Sequence, residues 1–316
     1  MYYYKEDSEP YELLAKIYQY QGNNEKAIQM YETALTFNLD NILIMCQIER
    51  LKDLEIQRIE NLKGILNQCK SKHDTAVVYL NIGDLNRIYG QYDQSIEYIE
   101  KAIELKKQYE PFMYYQDFYY HMFTYLAQNG NYEIAYKKLQ EFDKTLQYPF
   151  SGFSLALHLE FYMAAEKWDI LEEILPKVRD IYAEWWFQDT DALLAEAYIA
   201  EKIDKNYSKA IDLYKQVLSE NLAYKLSDIH INIARCYRLL NNHKVAINKL
   251  NKVINSTLYY RVDANYEFAM IYKEKGNIKK AINYIDLMLE HYKHADPTLI
   301  KVNRAKTLKE DLNKQL

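Results

Sequence analysis

The phrase "YQGNNEKAIQMY" at residues 20–31 returns as "EKGNIKKAINYI" at 274–285. In both, a helical run closes on Gly-Asn and a second run opens, in which an alanine and an apolar residue four later share a face. The same grammar recurs in "YGQYDQSIEYIEKAI" (89–103), "QNGNYEIAYKKL" (128–139), "DKNYSKAIDLYKQVL" (204–218) and "LNNHKVAINKLNKVI" (240–254). The small anchors of the second runs are Ala27, Ser95, Ala135, Ala210, Ala246 and Ala281, spaced 68, 40, 75, 36 and 35 residues apart. A unit of about 34 residues fits, with one divergent unit inside the 68 and another inside the 75. Seven Gly and five Pro, where average usage gives roughly 22 and 16, leave few interruptions and favour long helices on short connections.

The spelling has a physical cause. Ala15, Gly83, Ala234 and Ala269 in first helices let the second helix approach, and the anchor residues do the same from the other side. A glycine at the turn takes the left-handed conformation that ends a helix. Tyr18, Tyr237 and Tyr272 are expected to fill the space between successive pairs. The divergent second unit keeps the stripe Ile56, Ile59, Leu62, Ile65, Leu66, Cys69 but has lost its small anchors. The fifth has Trp168 before its second helix and Leu171 in the anchor's place, and the turn at 199–207 is about three residues longer than the others.

This pattern resembles the tetratricopeptide repeat family over nearly the whole chain. The matching residues are Leu14, Ala15, Tyr18, Gly22, Ala27, Tyr31 and Ala34 in the first unit and Ile82, Gly83, Gly90, Tyr92, Ser95, Ile99 and Ala102 in the third. The last full unit supplies Ala269, Tyr272, Gly276, Ala281, Ile285 and Met288. The resemblance implies an all-α superhelical solenoid of helix pairs, read as one array with units near 8–41, 42–75, 76–109, 116–149, 152–183, 188–221, 227–260 and 262–295. No pair buries both its faces alone, so the ends need caps. Residues 297–316 are expected to supply the C-terminal one, starting at Asp296-Pro297 and packing Leu299, Val302, Ala305, Leu308 and Leu312 inward.

A net charge of −5 without a basic block argues against nucleic acid as the partner. Cys46, Cys69 and Cys236 form no CxxC pair and read as reduced thiols. "MYYYKEDSEP" lacks a signal peptide's apolar run, and no 18-residue apolar stretch spans a bilayer, so a cytoplasmic protein is expected. The repeat pattern begins almost at Met1, so the chain reads equally as a piece of something longer. Thirty-three tyrosines, with frequent Asn, Lys and Ile, match an AT-rich coding bias and carry no functional argument.

No nucleotide-binding, nucleophile-elbow or HExxH motif occurs, and His291, His294 and Asp296 have no second ligand pair; neither a catalytic site nor a metal or other cofactor is expected. His158 and Glu160 lie on opposite sides of a helix. The expected partner is a protein or peptide. The resemblance places Asn81, Asp84 and Arg87 of the third unit on the concave groove, with Asp228, Ile231, Asn232, Arg235 and Arg238 of the seventh and Tyr266, Met270 and Lys273 of the eighth. An Asn amide matches one peptide unit in donor and acceptor. The basic clamp that some family members use on acidic tails is missing, since the first unit offers Glu12 and Lys16 and the fourth Asp117 and His121. Two aromatic clusters, 110–128 and the one holding Trp185, Trp186 and Phe187, read either as a binding patch or as filling for an irregular junction. The reading is a protein- or peptide-binding scaffold; the alternatives are a bacterial peptide-sensing regulator and an accessory domain of a larger enzyme.

Overall fold

The computed structural model describes residues 7–52, 57–109, 130–144, 154–185, 190–219, 226–254 and 258–316. They form helices and turns with no strand, in two compact units, Met1–Met122 and Phe123–Leu316. The first holds α1 (Glu9–Tyr20), α2 (Asn24–Phe37), α3 (Ile42–Leu51), α4 (Gln57–Leu66), α5 (Lys72–Ile88) and α6 (Tyr92–Lys106). The second holds α7 (Tyr132–Asp143), α8 (Ser154–Ala164), α9 (Trp168–Trp185), α10 (Thr190–Lys202), α11 (Tyr207–Ser219), α12 (Leu226–Leu239), α13 (His243–Ile254), α14 (Leu258–Glu274), α15 (Ile278–His291) and α16 (Ile300–Asn313).

Within each unit the helices are stacked antiparallel pairs. The first helix of a pair packs on its second, and the second on the next first, as in α1–α2–α3 and α10–α11–α12–α13–α14–α15. The anchors decide how close they come: Ala15, Ala27, Ser95, Ala135, Ala210, Ala234, Ala246, Ala269 and Ala281 are all fully buried. At Gly83 a Cβ would stand 2.9 Å from Ile99 Cγ1 and 3.1 Å from the Ser95 carbonyl, so only glycine lets α5 meet α6 at this distance. Tyr237 lies half-buried between the core of α10–α12 and that of α12–α14, the position expected of it.

The turns share one geometry. Gly22, Gly90, Gly130 and Gly276 have φ between 73° and 84°. At Gly276 the backbone N–H bonds the Lys273 carbonyl and the next N–H bonds Tyr272, closing the helix end. The Asn that follows then caps the next helix: Asn23 accepts the Lys26 N–H and Asn277 the Lys280 N–H. Three turns adopt the same left-handed conformation without glycine, at Glu166 (φ 54°), Lys205 (φ 53°) and Asn241 (φ 60°). A residue with a Cβ costs about 1–2 kcal/mol there, least for Asn.

In the divergent second unit Ile59, Leu62 and Ile65 are buried as the stripe requires; Ile56 lies outside the described residues. In the fifth, Leu171 is fully buried in the anchor's place. The last helix differs from expectation at its start. It begins at Ile300, not at Asp296-Pro297, because the Leu299 N–H closes a turn on the Asp296 carbonyl and Leu299 itself is extended (φ −61°, ψ 110°). Its stripe of Leu299, Val302, Ala305, Leu308 and Leu312 is buried, and α16 packs on α15.

Candidate functional site

The polar residues expected on the groove are placed on first helices, as α5, α12 and α14 require. Four of them, Asn81, Asp84, Asn232 and Arg238, are buried, and Arg87, Asp228, Arg235 and Lys273 are half-buried. They hold one another and neighbouring repeats. Asn232 Nδ2 donates to the Tyr198 hydroxyl at 3.0 Å, and its Oδ1 accepts from Arg235 Nη2 at 2.8 Å. Arg235 forks onto Glu201 of α10 through Nε and Nη2, and Tyr214 donates to the same carboxylate at 2.8 Å. Arg238 continues the chain of contacts, with Nε 3.0 Å from Glu267 and Nη1 2.6 Å from Glu274, which His243 also meets at 3.0 Å. The amide donor and acceptor of Asn232 and the guanidinium forks of both arginines are thus taken within the chain.

In the first unit the pattern is the same on a smaller scale. Arg50 of α3 donates to Asn81 Oδ1 at 3.3 Å and pairs with Asp84 at 3.2 Å, while Asn81 Nδ2 donates to the Val77 carbonyl. Arg87 is half-buried near the end of the same helix.

The electrostatics follow from this pairing. Burial pushes the Glu201 carboxyl up, but the Arg235 guanidinium and the Lys202 ammonium override it and hold its pKa at about 2, against 4.5 normally. Burial, then the Glu201 charge, pushes the Tyr214 phenol well above its usual range. Burial likewise pushes the Cys236 thiol up to about 12, and Cys46 with it.

The residues that the sequence did not single out are the acceptors: Tyr198, Glu201, Glu267, Glu274 and, in the first unit, the donor Arg50. A signal for them exists. Arg235 and Glu201, Asn232 and Tyr198, and Arg50 and Asp84 are all 34 residues apart, one repeat length. Complementary side chains one period apart on first helices face each other across the stack.

Tyr266 and Met270 are placed differently. They are half-buried on α14 and, with Lys273, line an open cleft of about 510 Å³ whose other wall is Ile300, Asn303, Arg304 and Thr307 of α16. Trp185 ends α9, and its side chain is not among those described; Trp186 and the cluster 110–128 lie outside the described residues. His158 pairs with Asp143 of α7 at 2.6 Å rather than with Glu160, and Ser154 donates to the other Asp143 oxygen. Because the Ser154 hydroxyl donates to the carboxylate and not to the imidazole, this trio ties α7 to α8 and does not form a serine–histidine pair.

Paired helices, small anchors and left-handed turns at one period are the frame in which these contacts sit. Residues 8–41, 76–109 and 262–290 each match the tetratricopeptide repeat family model. These three segments are tetratricopeptide repeats. No curated protein matches its sequence. Among solved structures, this repeat protein is similar in fold to NprR in complex with its cognate peptide NprX, at 14% identity and a TM-score of 0.52, over 98% of each chain. The APC/C hetero-tetramer Cut9-Hcn1 gives 15% identity and a TM-score of 0.48; 92% of this chain is covered, which spans about half (52%) of that one. A tetratricopeptide repeat protein from Parabacteroides merdae gives 12% and 0.36, over 96% and 98% of the two chains. No helix among the described residues of this repeat protein is long and apolar enough to cross a membrane.

Proposed function

We propose that the protein is a non-catalytic scaffold of the cytoplasm that holds a protein or peptide segment in the cleft between α14 and α16. The observation that carries this reading is the difference between the two sets of groove residues. Asn81, Asn232, Arg235 and Arg238 are engaged in bracing one repeat against the next, whereas Tyr266 and Met270 present an aromatic and a thioether to an open cleft. Both side chains offer large apolar contact to a partner. The likeness to NprR is one of fold; that its structure holds a cognate peptide makes a peptide the natural first probe.

Site-specific photo-crosslinking tests the assignment. A benzophenone amino acid at Met270 should capture a partner from the native host, and the same group at Lys279, exposed on α15, should not. Met270→Lys should weaken the captured interaction tenfold or more. A partner that binds Met270→Lys with full affinity uses a different surface, and the cleft is then not the site.

A further inference from the structure

The last helix reaches back to a turn far earlier in the chain. Arg304 of α16 places Nη1 and Nη2 at 3.2 and 3.1 Å from the two oxygens of Glu166, 138 residues before it. Glu166 stands in the turn between α8 and α9, in the left-handed position that glycine fills in four other turns. Ile300, on the same helix as Arg304, lies against another turn: its Cδ1 would be 3.9 Å from a Cβ on Gly130. One edge of α16 is therefore fixed to α15 by its buried stripe, and the other closes on the turns of earlier repeats. The closure is the weak edge, because Arg304 and Glu166 are 55% and 53% exposed and such pairs contribute little.

The closure also has a defined chemistry. A guanidinium presents a fork to any carboxylate of the right geometry, whichever chain it comes from. Beside Arg304 the cleft carries Lys273, which has no ion-pair partner among the described residues, and Asp311 is the single acidic side chain among its described lining residues. Its apolar wall is Tyr266 and Met270. Burial pushes the Glu166 carboxyl up, but the Arg304 hydrogen bonds and charge bring it below its usual value, so it sits there as the anion.

We propose that Glu166 is an internal stand-in for the partner. A segment carrying a carboxylate beside an apolar side chain enters over Tyr266 and Met270, takes Arg304 from Glu166, pairs with Lys273, and so opens the closure between α16 and the α8–α9 turn. This rests on the assignment of the cleft as the binding site and adds the partner's charge and a gate to it. A chain with glycine at 166 would keep the turn and lose the gate.

The test uses the full chain and two C-terminally amidated pentapeptides carrying an uncharged fluorophore on the N-terminus, Leu-Asp-Leu-Glu-Phe-amide and its neutral counterpart Leu-Asn-Leu-Gln-Phe-amide, read by anisotropy. The acidic probe should bind better than the neutral one. Glu166→Gln should tighten the acidic probe about fivefold, which is on the order of 1 kcal/mol, and leave the neutral probe unchanged. Arg304→Gln and Lys273→Ala should each weaken the acidic probe, and Arg304→Gln should cancel the gain of Glu166→Gln in the double variant. Hydrogen exchange over residues 162–170 should rise when the acidic probe is added to the native chain, and not in Arg304→Gln. Equal binding of both probes, no binding of either, or an acidic probe indifferent to Glu166→Gln overturns the proposal. Crosslinking at Met270 judges the cleft separately: a captured partner indifferent to Arg304→Gln refutes the gate and leaves the scaffold standing.

Discussion

Glu201→Gln is the substitution that most directly probes the bracing between repeats. Glu201 is 3% exposed and receives Arg235 through two nitrogens, the Tyr214 hydroxyl, and the Lys202 ammonium at 2.7 Å. The amide removes the charge while keeping the shape, and leaves Arg235 with Glu267, at 4.0 Å, as its remaining counter-ion. Removing one partner of a buried ion pair costs about 3–5 kcal/mol. An independent figure comes from proton linkage. The folded pKa of about 2 against 4.5 makes the ionised carboxylate worth roughly 3 kcal/mol to the folded state. Because the folded value is the lower one, that stability is complete above pH 4.5 and is lost as pH falls towards 2. In a stack of repeats this loss is local, so the assay is native-state hydrogen exchange of α10 and α12 alongside urea unfolding, at neutral pH and at about pH 3. The variant should lose protection in α10 and α12 at neutral pH and show a flatter acid arm than the native chain. Replacing both members, Glu201→Leu with Arg235→Met, should cost much less than Glu201→Gln alone. A cost under about 1 kcal/mol for Glu201→Gln, with the acid arm unchanged, would refute the account of a buried, charge-dependent brace.

Three further outcomes follow from the turns and the close helix contact. Gly276→Ala should cost about 1 kcal/mol in thermal unfolding, all of it backbone strain, because nothing lies within 4 Å of the added Cβ; Lys205→Gly, at φ 53°, should instead raise the melting temperature slightly, its strain relief partly offset by the greater freedom of unfolded glycine. Gly83→Ala should destabilise by about 1 kcal/mol, since overpacking against the Ser95 carbonyl costs about 1–3 kcal/mol and the gain in helix propensity returns up to about 1; a variant of equal or higher melting temperature would show that α5 and α6 separate freely.

Much of the fold was legible because close packing leaves a spelling behind. Ala27, Ala135, Ala210, Ala246 and Ala281 had to be small, and the structure buries every one. Turn conformation was less legible, since Glu166, Lys205 and Asn241 adopt the glycine geometry without the glycine; the backbone follows the stack rather than the local preference. The start of the last helix was misplaced for a related reason: Pro297 suits a first helical turn, but the turn closed on Asp296 takes that position first. The groove residues show the sharper lesson. Asn232, Arg235 and Arg238 share the first helix α12, but a residue's place on a helix does not say whether its partner is a foreign peptide or the preceding repeat. That depends on what stands one period away, and Glu201 and Glu267 stand there. The Glu166–Arg304 contact follows no period, and no reading of one repeat at a time could reach it.

The braces along α10, α12 and α14 alternate in sign: the acid Glu201, then the bases Arg235 and Arg238, then the acids Glu267 and Glu274. Repeats of one shape are interchangeable by packing alone, and an array built from them is open to slipping by one unit or to trading units with another copy. Alternation gives each junction an address. A copy of the α12–α13 pair inserted beside the original would set arginine against arginine, and the pair on either side would accept only the other's charge. The order of these three repeats is therefore written in electrostatics, independently of the apolar surfaces that hold them together.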